Sequence, residues 1–263
     1  MTGPEKGKRD HLRLADELLL CLGLLTCLPA GSAGIPADGW LRRACRWFPL
    51  VGALVGGLAA GILYLATLIG LPGEAAAILA LGGMILLTGA IHEDGLADVA
   101  DGFAGGRTRE DRLRIMRDSR IGTYGALALI VSVAIRWAAI TALLRHGAGT
   151  AAVALVVAGA ASRLTPVLLM RLLAPAREDG LGATAGRPEG MTVRIAVALS
   201  LLVLLLLPGP AAGLAVIIVV ALAFASVAAL ARRRIGGHTG DVLGAGQQVT
   251  EMLVLLGLAA SLP

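Results

Sequence analysis

The sequence predicts an all-α, polytopic membrane helix bundle, and three observations carry the prediction. Hydrophobic residues make up 57% of the 263 residues and charged residues only 16%, with a mean hydropathy of +0.81. Soluble domains carry about a quarter charged residues. The apolar residues fall in long runs and do not alternate with polar ones, as helices that bury their backbone in lipid require. Aromatic residues are scarce, at 3%, while Gly and Ala abound, which suits helices packed through small faces such as Gly52, Gly56 and Gly57, or Ala158 to Ala161. The whole chain, 1–263, reads as a single integral membrane domain.

Apolar windows of about 17 to 24 residues place spans near 49–71, 75–91, 122–144, 151–172, 195–208, 211–231 and 248–262, about seven in all. Charge sets their sidedness. If loop 92–121 faces the cytoplasm and the chain alternates, loops 30–48, 173–194 and 232–247 share its side. That side then holds Arg42, Arg43, Arg46, six Arg from Arg107 to Arg120, Arg177, Arg187, Arg194 and Arg232 to Arg234, and only Arg145 lies opposite. This is the positive-inside distribution. It also accounts for the net charge of +5 without nucleic acid.

The basic start (Lys6, Lys8, Arg9, Arg13) stays on the same side only if 14–29 does not cross, so 14–29 reads as an interfacial or re-entrant helix. Asp16 and Glu17 interrupt the apolar run that a signal peptide ending near Pro29-Ala30-Gly31 would need. Cys21, Cys27 and Cys45 lack metal-ligand spacing or His companions and read as buried thiols.

Chemistry concentrates between the second and third spans, where His92 to Asp101 read His-Glu-Asp-Gly-Leu-Ala-Asp-Val-Ala-Asp. On a helix Asp94, Asp98 and Asp101 fall at i, i+4 and i+7, within an arc of roughly 60°. Three carboxylates so close call for a cation, and hard oxygen ligands without Cys or paired His favour magnesium or manganese over zinc. His92 and Glu93 point elsewhere on the helix and suit a supporting or general-base role. Gly102 and Gly105-Gly106 end this helix. Thr108 with Asp111 resembles a capping box for a second, surface-lying helix, with apolar Leu113, Ile115 and Met116 and with Arg109, Arg112, Arg114 and Arg117 for lipid headgroups or a substrate phosphate.

The following run, Arg117 to Gly125, has two glycines three apart whose amides can approach an anion, and Arg117, Ser119 and Arg120 suit phosphate binding. A plain helix entrance capped by Ser119 or Thr123 is the alternative. In loop 232–247, Gly236-Gly237-His238-Thr239-Gly240-Asp241 shares the side of the acidic cluster. Asp241 can complete a metal shell and His238 can orient or deprotonate a hydroxyl, unless the stretch is only a glycine-rich connector. Arg136 and Arg163 lie inside spans, where an unpaired cation costs on the order of 3 kcal/mol or more. Arg163 is expected to reach a phosphate or an acid of the site and Arg136 to pair internally, with Glu251 a counter-ion for either.

These motifs carry a resemblance. His92-Glu93-Asp94-Gly95-Leu96-Ala97-Asp98-Val99-Ala100-Asp101-Gly102, Asp118 to Gly125, Gly240 to Ala245, Thr26 to Pro29 and Phe48 to Gly52 together resemble the cobalamin synthase (adenosylcobinamide-GDP ribazoletransferase) family along nearly the whole chain. The resemblance implies a magnesium-dependent enzyme of the bacterial cytoplasmic (inner) membrane with its active site in loops 92–121 and 232–247. It would transfer the cobinamide phosphate of adenosylcobinamide-GDP to alpha-ribazole or its 5′-phosphate and release GMP. On that reading Asp94, Asp98 and Asp101 hold Mg2+; Arg117, Ser119, Arg120 and Arg163 bind phosphate; and His238, Asp241 or His92 handles the proton. The partners are these substrates and the lipid bilayer, with room for a homo-oligomer.

Asp98-x-x-Asp101-Gly102 also agrees with part of the CDP-alcohol phosphotransferase signature, whose remaining residues are not found at their spacing. An ion-coupled transporter would likewise set acids and arginines among helices, but at the midplane and with an internal repeat that the halves do not show. A membrane scaffold without chemistry would have no use for the acids.

Overall fold

The computed structural model describes residues 14–29 and 39–262. The basic start and Ala30-Gly31 therefore lie outside the described residues. The order is α1 Leu14–Leu25, α2 Leu41–Ala44, α3 Phe48–Leu68, α4 Gly73–Leu87, α5 Ile91–Gly105, α6 Arg109–Ile115, α7 Thr123–Leu144, α8 Ala148–Leu172, α9 Leu181–Thr184, α10 Gly190–Leu206, α11 Pro210–Ile235 and α12 Gly240–Ala260. A polytopic all-α membrane bundle is what the composition predicted.

The span count differs from seven. Among the described residues five helices are long and apolar enough to cross, or six if α4 and α5, which meet at 87°, count as one. At about 1.5 Å per residue the 15 residues of α4 reach only about 22 Å of a core about 30 Å thick. The apolar helix α10, with 17 residues, is also short of that test. The last span begins at Gly240 and not at 248, because small and amide side chains from Gly244 to Gln248 are buried against protein and need not be apolar.

The bundle is built around α8, which packs against α3 on one side and α12 on the other. Glycine permits the α3 contact: a Cβ on Gly52 or Gly159 would collide with the other's carbonyl, and one on Gly56 with that of Leu155. Gly57, expected on this face, meets nothing within 4 Å. The outer faces of α3, α7 and α11 expose Leu54, Leu58, Leu65, Ile130, Val131, Ile218 and Leu222, surfaces that lipid covers at no hydrophobic penalty. At 12 residues α1 is too short to cross. It is held by buried Glu17, which accepts hydrogen bonds from Arg46 (Nε, 2.8 Å) and Trp47 (Nε1, 3.3 Å). All three cysteines are free; Cys21 and Cys45 are buried as expected, whereas Cys27 is exposed.

Between α4 and α5 two successive left-handed residues, Gly89 (φ 60°) and Ala90 (φ 56°), turn the chain. The turn sends α5 off at 87° to α4, so that Asp94 and Asp98 meet the start of α12 and Asp101 the start of α7, while Glu93 points into the bundle.

Inside the bundle sits a charge network. Arg136 Nη1 donates to Glu93 Oε1 (3.0 Å) and Glu251 Oε1 (3.1 Å), and Arg163 Nη1 donates to Glu251 Oε2 (2.7 Å). Gln247 Nε2 donates to Glu251 (2.6 Å) and Gln248 Nε2 to Glu93 (3.0 Å). All six side chains are buried. Two guanidiniums against two carboxylates leave the cluster neutral, which makes it tolerable at low dielectric. Glu251 is thus the counter-ion of both arginines.

Candidate active site

Three segments meet at the end of the bundle where α5 lies. The first is α5 itself, which crosses the start of α12 at two glycines. A Cβ on Gly95 would stand 2.8 Å from the carbonyl of Asp241, and one on Gly244 would stand 3.3 Å from His92 Cα. Larger residues would push the helices apart, so this crossing sets Asp94 and Asp98 beside Asp241. The second is the start of α12, where Thr239 caps the helix by accepting from the Val242 amide (3.3 Å) and donates to Asp241 Oδ2 (3.1 Å).

The third is the loop after α8. The His238 amide donates to the Ala174 carbonyl (2.9 Å) and the Ala176 amide donates to the His238 carbonyl (2.8 Å). A Cβ on Gly237 would strike the Ala174 carbonyl, so only glycine allows the loops this close. The staple brings Arg177 Nη2 to 3.7 Å from Asp241 Oδ2, while Arg177 Nη1 has no hydrogen-bond partner among the described residues.

His92, Asp94, Arg177 and Asp241 line one end of a cavity of about 300 Å³. Asp94 is exposed and Asp98 half-buried. Burial first, then the like charges of Asp94, Asp241 and Asp101, push the Asp98 carboxyl up to about 7. A cation bound beside these acids would relieve that crowding of negative charge. Among the described residues no three His, Cys, Asp or Glu side chains converge closely enough to hold an ion unaided. Magnesium usually takes one or two protein carboxylates and completes its shell with water and substrate phosphate, so the donor set fits it.

Other sequence-predicted residues stand differently. Asp101 accepts the Gly122 amide on Oδ2 (2.7 Å) and the Gly125 amide on Oδ1 (2.9 Å). The two glycine amides thus bind an anion, but that anion is the protein's own carboxylate. It caps α7 from another helix, where a Ser119 or Thr123 cap was the expected alternative; the N-cap is Gly122. Arg120 pairs with Asp118 (2.7 Å) and Arg117 with Asp179 (2.6 Å), and Ser119 is exposed in the turn before α7. Arg163 is held by Glu251 inside the bundle.

His238 is buried with its Nδ1 unpartnered among the described residues, and burial pushes its imidazole down to about 4. His92 is buried too, its Nδ1 unpartnered among the described residues. On α6 the Thr108 cap is present, accepting from Asp111 (3.1 Å). Yet Arg109 donates to the Ile235 (3.0 Å) and Ala176 carbonyls and Arg112 to Arg234 (3.1 Å). These cations satisfy the open C-terminus of α11 and not lipid headgroups. Gly102 lies within α5, where a Cβ would strike Met116, so only the later glycines end the helix.

Sequence reasoning missed Arg177 as a partner of the acids. Its only signal was a charged, glycine-bearing loop on the same side. It also missed Gln247 and Gln248, whose amides look like loop polarity until α12 is seen to start before them.

The family described as cobalamin-5-phosphate synthase matches residues 17–259. Among curated relatives, an adenosylcobinamide-GDP ribazoletransferase of Bradyrhizobium diazoefficiens is 48% identical over 245 residues, covering 93% of both chains. One of Azorhizobium caulinodans is 47% identical over 88% of this chain and 89% of its own. One of Brucella anthropi is 42% identical over 95% of this chain and 98% of its own. No solved structure matches.

Proposed function

The chain belongs to the cobalamin-5-phosphate synthase family, and from that premise we propose that it transfers the cobinamide phosphate of adenosylcobinamide-GDP to alpha-ribazole or its 5′-phosphate. The observation that carries the site assignment is the meeting of Asp94 and Asp241 with Arg177 at one cavity, with Asp98 close enough to feel both acids, on the loop side of a membrane bundle. The side is the cytoplasmic face of the inner membrane, on the strength of its arginines.

Asp94 and Asp98 would hold magnesium, with water and substrate phosphate completing its shell, and the ion would offset the charge of the diphosphate and of departing GMP. The free Nη1 of Arg177 donates to a phosphate oxygen. The ribazole hydroxyl attacks the phosphorus that carries the cobinamide arm; the bond from that phosphorus to the oxygen bridging to GMP breaks, and GMP leaves with the electron pair. Asp241, which lines the cavity, takes the hydroxyl proton, a role better suited to it than to His238, which does not line the cavity. Asp101 positions the start of α7, since both its oxygens are engaged by amides.

The test is purified protein with adenosylcobinamide-GDP, alpha-ribazole and magnesium, followed for GMP with and without chelator. GMP release is expected, lost with chelator and reduced at least about 100-fold in Asp98→Asn. A folded wild-type protein without turnover, or an Asp98→Asn variant with full turnover, would overturn the reading.

A further inference from the structure

The cavity that meets the acids also has an apolar lobe, built by other elements. Leu24, Leu25, Leu41, Phe48, Pro166 and Met170 line it, contributed by α1, the start of α2, the start of α3 and α8. Among the described residues, the lining side chains from α1, α2, α3 and α8 are all apolar, and the charged ones come from α5, the loop after α8 and α12. An apolar lobe in the same cavity as a phosphate-binding group suits an apolar part of a substrate whose reacting group lies at the acids.

Resting on the function proposed above, we propose that this lobe receives the flat aromatic base of the acceptor nucleoside and presents its ribose hydroxyl to Asp241. Size and polarity select among the organic parts of the substrates. A corrin macrocycle is far too large for a cavity of about 300 Å³. Guanine would fit, but its edge carries several hydrogen-bond donors and acceptors, each left unpaired against leucine, proline and methionine at about 1–3 kcal/mol. A benzimidazole bearing two methyl groups is planar and largely apolar, and Phe48 and Met170 provide the aromatic and thioether surfaces that such rings pack against.

The inference gives α1 a task. This helix does not cross the membrane, yet Glu17 fixes it to Arg46 and Trp47, and its last turn supplies Leu24 and Leu25 as one wall of the lobe. The last turn of α1 then acts as part of the acceptor pocket.

The experiment fills the lobe from two sides, with Leu24→Trp on half-exposed α1 and Met170→Trp on α8, and measures KM for each substrate separately in the magnesium assay. Binding of alpha-ribazole is followed independently by the fluorescence of its benzimidazole. The expected result is a KM for alpha-ribazole raised about tenfold or more, with KM for adenosylcobinamide-GDP unchanged and fluorescence binding weakened in parallel. Met170→Ala should in turn accept a ribazole with a bulkier base better than wild type does. Unchanged alpha-ribazole binding in both Trp variants, or equal changes in the two KM values, overturns the proposal while the reaction stands. Absence of wild-type turnover with any nucleoside acceptor strikes the function itself and is distinguishable from either.

Discussion

Replacing Glu251 by Gln tests the charge network that ties α7, α8 and α12 together. The carboxylate is 1% exposed and accepts from Arg136 at 3.1 Å, Arg163 at 2.7 Å and Gln247 at 2.6 Å. Glu251→Gln keeps the shape but removes one of two negative charges that balance two guanidiniums. It also puts an NH2 donor where an acceptor stood, so one arginine loses its oxygen while both stay dry. Breaking a buried pair from one side costs about 3–5 kcal/mol, and at about 2–4 °C per kcal/mol the melting temperature should fall by roughly 10 °C. Detergent-solubilised protein followed by the fluorescence of its three tryptophans provides the assay. Arg163→Met in the same chain restores neutrality and should recover about half of the loss. A Tm within about 2 °C of wild type, or a double variant whose losses simply add, would refute the reasoning.

Other perturbations follow from the same geometry. Arg177→Gln should lower kcat/KM about 100-fold by removing the phosphate donor beside Asp241, without changing Tm by more than about 2 °C, as steady-state kinetics and melting together would report. Asp101→Ala should cost about 1–2 kcal/mol through the lost cap of α7, and Asp101→Asn less because it keeps one acceptor, as read by thermal unfolding. Ala90→Gly relieves a left-handed alanine and should leave stability unchanged or raise it by up to about 1 kcal/mol in the same assay. His238 is held neutral, with its imidazole pushed down to about 4 from the ordinary 6.5. Between those values the unfolded chain takes up a proton that the folded one does not, so stability falls as pH drops through that window and is level above it. The Tm of His238→Gln should fall less steeply over the same interval.

Much of this molecule was legible in its residues. Long apolar runs force helices, since backbone polar groups have no partners in lipid, and arginine asymmetry put the loops 92–121, 173–194 and 232–247 together on one side. The ion pairs and staples found between them join those same loops. The spacing of Asp94, Asp98 and Asp101 marked the acidic helix, of which Asp101 turned instead to the amides of α7, and the Thr108 cap was read from its triplet. The break at Gly89-Ala90 was harder, because alanine carries no sign that it will adopt a left-handed conformation.

By itself, then, the sequence determined the class of fold, the acidic helix, and a family resemblance that comparison with known chains bears out. These are local properties: hydropathy, helical period and motif spacing all act within one segment. Tertiary structure decided which partner each charge received. Asp101 found the amides of α7, Arg163 found Glu251, and Arg177 reached Asp241 only because Gly237 lets two loops close on each other. A charge satisfies itself with the nearest opposite group, and in a bundle that group is most often on another helix, at a sequence distance no local pattern encodes.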